Sequence, residues 1–135
     1  MNLKSKYFFC IYPTAPLLKV NDIKKAYKKI KKIKYDGLIA TCKYSSSPFR
    51  AFIKKKNDKI NYLNKKYAFK RSQDLKETFY DTGTFYIFRS NKYLKSKGKL
   101  MDRTTFYNID RNSSADINTL EDFKFAEFLN KFKLN

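Results

Sequence analysis

The chain has 135 residues, 42% of them hydrophobic, and a net charge of +19 from 31 Lys and Arg against 12 Asp and Glu. That length suits one domain, the apolar content excludes wholesale disorder, and no apolar run is long enough to span a bilayer. Histidine is absent, which excludes a Cys/His zinc site and a histidine general base.

The opening MNLKSKYFFCIYPTAP has a basic tip and a short apolar stretch, but Pro13 and Pro16 interrupt it and no small-residue cleavage site follows. It reads as a buried strand over Tyr7–Ile11, of the continuous apolar kind that is compatible with a parallel neighbour. Asn21 or Asp22 then caps a helix. Its inward face is Ile23, Ala26, Tyr27, Ile30 and Ile33, and its lysines form a solvated face. Gly37–Cys42 is a second buried strand, so strand, helix and strand make one βαβ unit. Ser45–Pro48 reads as a loop, Phe49–Ile53 as a strand, Asn57-Asp58 as a turn, and Ile60–Leu63 as an antiparallel return. Residues 64–80 have no clean period and read as loop. Thr84–Phe88 is a strand entered through Gly83, Tyr93–Lys97 a short helix ended near Gly98, and Thr105–Ile109 a strand. The tetrapeptide Thr119-Leu-Glu-Asp122 is a capping-box variant that opens a last helix, with Phe123, Ala126, Leu129 and Phe132 inward. The class is α/β with a partly parallel sheet. Cys10 and Cys42 lie in apolar segments and read as reduced, buried thiols.

The positive charge has two readings. One is a nucleic acid or other polyanion, for which eleven tyrosines and thirteen phenylalanines offer stacking faces. The other is composition alone, because AT-rich coding yields Lys, Asn, Ile, Phe and Tyr without any partner demanding them. The lysines gather on a helix back face and in turns, and most aromatics sit in apolar strands, which favours the second. Neither a GxGxxG turn nor a P-loop is present, since the three glycines are Gly37, Gly83 and Gly98.

Four segments in order carry a resemblance: CIYPTAPLL (10–18), SPFRAF (47–52), RSQDL with DTGTFY (71–75 and 81–86), and ADINTLEDFKFAE (115–127). Together they resemble the acylneuraminate cytidylyltransferases. The Tyr12-Pro-Thr-Ala-Pro and Asp81-Thr-Gly motifs are closest to the branch that makes CMP-pseudaminic acid, rather than to the sialic acid branch.

The resemblance implies an incomplete nucleotide-sugar-transferase-like (Rossmann-like) mixed sheet with flanking helices, as a single domain over residues 1–135. It implies nucleotidyl transfer in which the anomeric hydroxyl of a nonulosonic acid attacks the α-phosphate of CTP and pyrophosphate leaves, with Mg²⁺ as cofactor. Asp116 falls at a metal-ligand position, and Asn118 stands where the family has a second aspartate. Arg71, Gln73, Asp81, Gly83 and Tyr86 fall on the sugar side, and Tyr12, Pro13 and Thr14 on the loop facing the nucleotide. The family's Ala-Arg-x-x-Ser-Lys-Arg phosphate loop does not occur in this sequence. The expectation is therefore the C-terminal portion of such an enzyme, truncated or split and weak or inactive alone. Its implied partners are a second copy or an N-terminal partner chain, with no membrane, and its implied location is cytoplasmic. The alternative is a small basic nucleic-acid-binding or non-catalytic interaction protein.

Overall fold

A computed structural model describes residues 4–131, so Phe132 lies outside the described residues. The elements in chain order are β1 (Tyr7–Ile11), α1 (Val20–Lys32), β2 (Gly37–Lys43), β3 (Phe52–Lys54), β4 (Ile60–Tyr62), β5 (Phe79–Arg89), α2 (Ser90–Ser96), β6 (Thr104–Asn108) and α3 (Leu120–Lys131). They divide into two compact units, one drawn from Met1–Cys42 and Asp81–Asn135, the other Lys43–Tyr80.

The first unit is built on a four-stranded sheet of order β1-β5-β2-β6. β1 runs antiparallel to β5, with Phe9 opposite Ile87, and β2 runs parallel to β6, with Ile39 opposite Phe106. The class is thus α/β with a mixed sheet, as expected. The arrangement around β1 differs. β5 lies between β1 and β2, so these two strands are not neighbours in a βαβ pair, and the neighbour of β1 is antiparallel. β1 is also only half-buried, because it ends the sheet. An apolar run reports that side chains can be buried; it does not report which later strand will insert beside it.

The core is a single cluster of Ala26 and Ile30 from α1, Leu38 and Ala40 from β2, Phe85 and Ile87 from β5, and Ile109 after β6. Ile23 and Tyr27 pack against its margin, as the helical spacing requires. Two of the lysines on α1 do more than face solvent. Lys29 lies 4.8 Å from the centre of the Phe106 ring, and Lys31 lies 5.1 Å from that of Tyr27. The start of α1 departs from expectation. Lys19 is the N-cap and makes no side-chain cap, while Asn21 and Asp22 lie inside the first turn. Asp22 complements the helix dipole there and accepts from the Tyr107 hydroxyl at 3.2 Å.

The C-terminal end of α1 is closed from another element. Arg89, the last residue of β5, donates to the carbonyls of Ile30, Ile33 and Tyr35 at 3.4, 3.1 and 2.9 Å. It thereby satisfies carbonyls that the helix itself leaves unpaired. Asp36 follows, 4% exposed, with its carboxylate bonded to Arg103 and 3.8 Å from Arg89. Its backbone N–H and C=O also bond to Arg103 and Arg89, which ties β2, β5 and β6 together at one end. Replacing Asp36 by Ala leaves two guanidinium groups without their anion. Urea unfolding should then show a loss of about 2 kcal/mol, less than for a fully enclosed pair because Arg103 is largely exposed.

The second unit holds the β3–β4 hairpin, with Phe52 opposite Tyr62. Its turn is at Asn57 and Asp58, both left-handed at φ 59° and 55°, a conformation these two residue types tolerate. β3 begins later than the predicted strand. Ser47 caps, and Pro48 opens, a 3₁₀ turn that takes up Phe49.

Three further corrections concern the ends of elements. β5 starts at Phe79, so Gly83 lies inside the strand, at φ 62°, and is not its entrance. α2 begins at Ser90 and closes with Lys97 and Gly98, both left-handed at φ 53° and 82°, near the expected stop. In α3, Ala126 is buried but Phe123 is 47% exposed, so Phe123 is not a core residue. Cys42 is buried and Cys10 is half-buried, and the two form no disulfide. No helix among the described residues is long and apolar enough to cross a membrane.

Candidate functional site

Three stretches far apart in sequence converge in the first unit. The Tyr12–Thr14 loop leaves β1, and the Tyr12 N–H donates to the Thr84 carbonyl of β5 at 3.0 Å. Two residues on, the Thr14 carbonyl accepts from the N–H of Ile117 at 3.0 Å. Gly83 completes the junction. A Cβ built on it would lie 3.4 Å from Asp116 Oδ2, and its φ of 62° is one that L side chains rarely adopt. A glycine is needed here for both reasons at once: the backbone turns left-handed and comes against a carboxylate.

On β5, Asp81 and Tyr86 lock to each other across that glycine. The Asp81 carboxylate accepts the Gly83 N–H at 3.0 Å and the Tyr86 hydroxyl at 3.0 and 2.9 Å. The Tyr86 ring lies 5.6 Å from that of Tyr12 and stacks parallel to Phe88. Burial, then the bond to Asp81, pushes the Tyr86 hydroxyl well above its ordinary value. The folded state therefore favours the neutral hydroxyl. Its contribution to stability is complete below about pH 10, the unfolded value, and is lost as pH rises beyond it. In an alkaline titration followed by tyrosinate absorbance, part of the signal from the eleven tyrosines should appear only on unfolding. That delayed part should shrink in Tyr86→Phe.

Asp116 sits ahead of α3. Its Oδ2 accepts from the Asn118 side-chain amide at 3.1 Å. Its Oδ1 is buried and has no hydrogen-bond partner. Among the described residues, Thr41 Oγ1 and Ser90 Oγ are the other buried side-chain oxygens in that condition, so Asp116 Oδ1 is the only carboxylate oxygen of the set. Behind it the capping box is reciprocal. Asp122 accepts from the N–H and hydroxyl of Thr119, both at 2.8 Å, and from the Asn118 N–H at 3.1 Å, while its own N–H donates to Thr119 Oγ1 at 3.2 Å. These donors, the Thr119 hydroxyl first, hold the Asp122 carboxyl below its usual range. The box thus fixes residues 118–119 and, through them, the approach to Asp116.

No group of three or more His, Cys, Asp or Glu side chains occurs among the described residues. Asp116 Oδ1, with the adjacent Asn118 amide, is the place where a cation would find an anionic oxygen. One anionic oxygen suits a Mg²⁺ ion that keeps its waters and shares a phosphate substrate, not one fully enclosed by protein, and the Asn118 amide turns its Nδ2 rather than its oxygen to Asp116.

The structure therefore brings Tyr12, Pro13, Thr14, Asp81, Gly83, Tyr86, Asp116 and Asn118 into one unit. Arg71 and Gln73 belong to the other. There Arg71 pairs with Asp74 at 3.1 Å, and Gln73 lines a shallow groove with Ser45–Ser47 and Lys76. Ile117 was not foreseen. It acts through its backbone N–H, and no side-chain pattern marks such a bond.

No family model matches the chain. Two pseudaminic acid cytidylyltransferases of Campylobacter jejuni subsp. jejuni, of serotypes O:23/36 and O:2, are 33% and 32% identical to it over 122 residues. Each match covers 90% of this chain and 53% of the relative, so the chain spans about half the length of the curated relatives it matches. In structure it resembles the 4-diphosphocytidyl-2C-methyl-D-erythritol synthase of Anaerococcus prevotii, with a TM-score of 0.58 at 16% identity, over 97% of this chain and 61% of that one. That likeness establishes a shared fold. Over nine-tenths of its own length, the chain is thus similar to about half of each of these pseudaminic acid cytidylyltransferases.

Proposed function

We propose that this chain carries the sugar-side and metal-side part of a cytidylyltransferase site, for transfer of CMP from CTP to a nonulosonic acid of the pseudaminic type. One observation carries the reading: the unpartnered Asp116 Oδ1 lies where three motif segments meet, in a chain 33% identical to a pseudaminic acid cytidylyltransferase. Asp116, with Asn118 beside it, would hold Mg²⁺. When bound, the ion neutralises phosphate charge. The chain's own residues supply position. Gly83 lets backbone and carboxylate approach, the Asp81–Tyr86 pair fixes the wall of the sugar side, and Tyr12–Thr14 forms the nucleotide-facing rim. The reaction joins the anomeric oxygen to the α-phosphorus and breaks the bond from that phosphorus to the β-phosphate bridge, releasing pyrophosphate. Neither a glycine-rich phosphate loop nor the Ala-Arg-x-x-Ser-Lys-Arg motif occurs in the sequence, and lysine side chains alone do not replace the backbone nest such a loop forms. The residues described here therefore account for positioning the sugar and the metal, not for holding the CTP phosphates. A cytoplasmic location follows from the same reading, since the substrates are products of intracellular metabolism.

The test is ligand-observed NMR with pseudaminic acid and CTP, with and without Mg²⁺, run beside a pyrophosphate-release assay. Expected are Mg²⁺-dependent saturation transfer to the ligands and pyrophosphate near background. Absence of any Mg²⁺-dependent binding would sink the reading, and brisk release by the chain alone would overturn the view that its site is partial.

A further inference from the structure

Gly83 leaves room beside Asp116, and it also switches the face of β5. Residues five apart lie on opposite faces of a regular strand. Yet the Asp81 carboxylate accepts from the Tyr86 hydroxyl. The change of face falls at Gly83, whose φ of 62° marks a bulge of the kind that opens on a left-handed glycine. A bulge disrupts the backbone ladder locally, so the strand needs another tie at that point. Two buried hydroxyls flank the glycine. Thr82 is 3% exposed and Thr84 is fully buried. The Thr82 hydroxyl donates to the Ala40 carbonyl of β2 at 3.0 Å, and Thr82 Oγ1 lies 2.8 Å from Thr84 Oγ1. Thr82 has given its one proton to Ala40, so the Thr84 hydroxyl is the donor between the two. The neighbouring residue of β2 shows which way the Ala40 carbonyl faces. The Thr41 carbonyl accepts from Ile109 on the β6 side. Successive carbonyls of a strand point to opposite sides, so that of Ala40 faces β5, where a regular ladder would offer it a backbone N–H.

We infer that Thr82 is a positioning residue of the candidate site: its hydroxyl ties the Gly83 bulge to β2 and so sets the approach of Gly83 to Asp116 and of Thr84 to Tyr12. The contacts that assemble the site close into a ring through this stretch. The Thr84 carbonyl holds the Tyr12 N–H, the Thr14 carbonyl holds the Ile117 N–H, and Asp116, next to Ile117, lies against Gly83. Thr82 is where that ring meets the interior of the sheet. The inference deepens the function proposed above and rests on it for what the ring serves. The tie itself is a matter of backbone geometry and can be measured without a ligand. Thr82 acts through Gly83 and Thr84, and no contact between Thr82 and substrate is invoked.

The test compares Thr82→Val, which keeps the shape and removes the hydroxyl, with Thr82→Ser, which keeps a hydroxyl. Thr41→Val is the control. It makes the same change on β2, where Thr41 Oγ1 has no hydrogen-bond partner to lose. Amide hydrogen exchange and Mg²⁺-dependent saturation transfer to CTP and pseudaminic acid are read on the full chain. In Thr82→Val, exchange at Tyr12, Gly83 and Ile117 should speed about tenfold or more relative to the core amide of Ile87, the effect of one lost buried hydrogen bond. Mg²⁺-dependent affinity for CTP should fall by about the same factor. Thr82→Ser and Thr41→Val should stay within about threefold of the parent chain in both measurements. If Thr82→Val does not fold, Thr82→Cys replaces it, because a thiol is a weaker donor, and the same selective change is expected. Exchange that rises equally at all four amides, or does not change at Tyr12 and Gly83, would make the bond a general stabiliser and overturn the inference. So would an effect of Thr41→Val as large as that of Thr82→Val. Selective exchange in Thr82→Val, with no Mg²⁺-dependent binding by the parent chain, would count against the proposed function and leave the tie standing. Mg²⁺-dependent binding that is insensitive to Thr82→Val would do the reverse.

Discussion

Phe85→Ala should lower the unfolding free energy by about 3–5 kcal/mol, the largest loss expected from any single truncation among the described residues. Phe85 is fully buried and is the largest side chain in the core cluster. The cluster draws on one helix and on β2 and β5, so no single element can move in to fill the space. Removing the ring forfeits its transfer energy and leaves a cavity between α1 and the sheet. A conservative change at the same depth, Ile30→Val, should cost only about 1 kcal/mol. Urea unfolding separates the two cases. The midpoint should fall sharply for Phe85→Ala with an unchanged slope, because the surface exposed on unfolding hardly changes. A loss below about 1.5 kcal/mol would mean that the site collapses around the missing ring, and that the cluster is less tightly packed than its burial indicates. The result also bears on function. Phe85 follows Thr84, whose carbonyl holds Tyr12, so a loosened core should blur the junction at Gly83.

The elements that could be read from the sequence are those whose cause is local. The inner face of α1 follows from apolar residues at helical spacing. The Asn57-Asp58 turn follows from two residue types that tolerate a left-handed backbone. The capping box at Thr119 follows from a hydroxyl and a carboxylate three positions apart, and it forms with both partners in place. What could not be read is set by distant chain. The insertion of β5 beside β1 is one case, and it gives an antiparallel neighbour to a strand whose apolar run is equally compatible with a parallel one. The cap of α1 is another, because the groups that close its far end come from Arg89, more than fifty residues away. The candidate site divides in the same manner. Gly83 and Asp116 were legible as motif residues. Their contact was not, and neither was the backbone bond from Ile117 to Thr14 that joins two motifs. Arg71 was legible as a motif residue too, while its pairing with Asp74, three residues along, was not.

Asp116→Ala should move stability and ligand binding in opposite directions. A buried acceptor without a partner carries the full cost of its desolvation, about 1–3 kcal/mol. Asp116 Oδ1 is such an acceptor, and its companion Oδ2 has only the exposed Asn118 amide to offset the loss. Deleting the carboxylate removes the burden. It also opens space beside Gly83 without creating a clash, since the glycine's neighbours there are the carboxylate atoms themselves. Urea unfolding should therefore show Asp116→Ala more stable than the parent chain by about 1 kcal/mol. A residue that costs stability fits a binding role, because sites keep polar groups that a purely structural interior would discard. In the same variant, Mg²⁺-dependent saturation transfer to CTP should fall at least tenfold. Asp116→Glu sharpens the contrast. It keeps the charge but adds a methylene against Gly83, so it should be destabilising while retaining part of the metal dependence. If Asp116→Ala instead lost more than about 1 kcal/mol of stability, the carboxylate would be a structural support for the turn into α3. The unpartnered oxygen would then no longer speak for a metal.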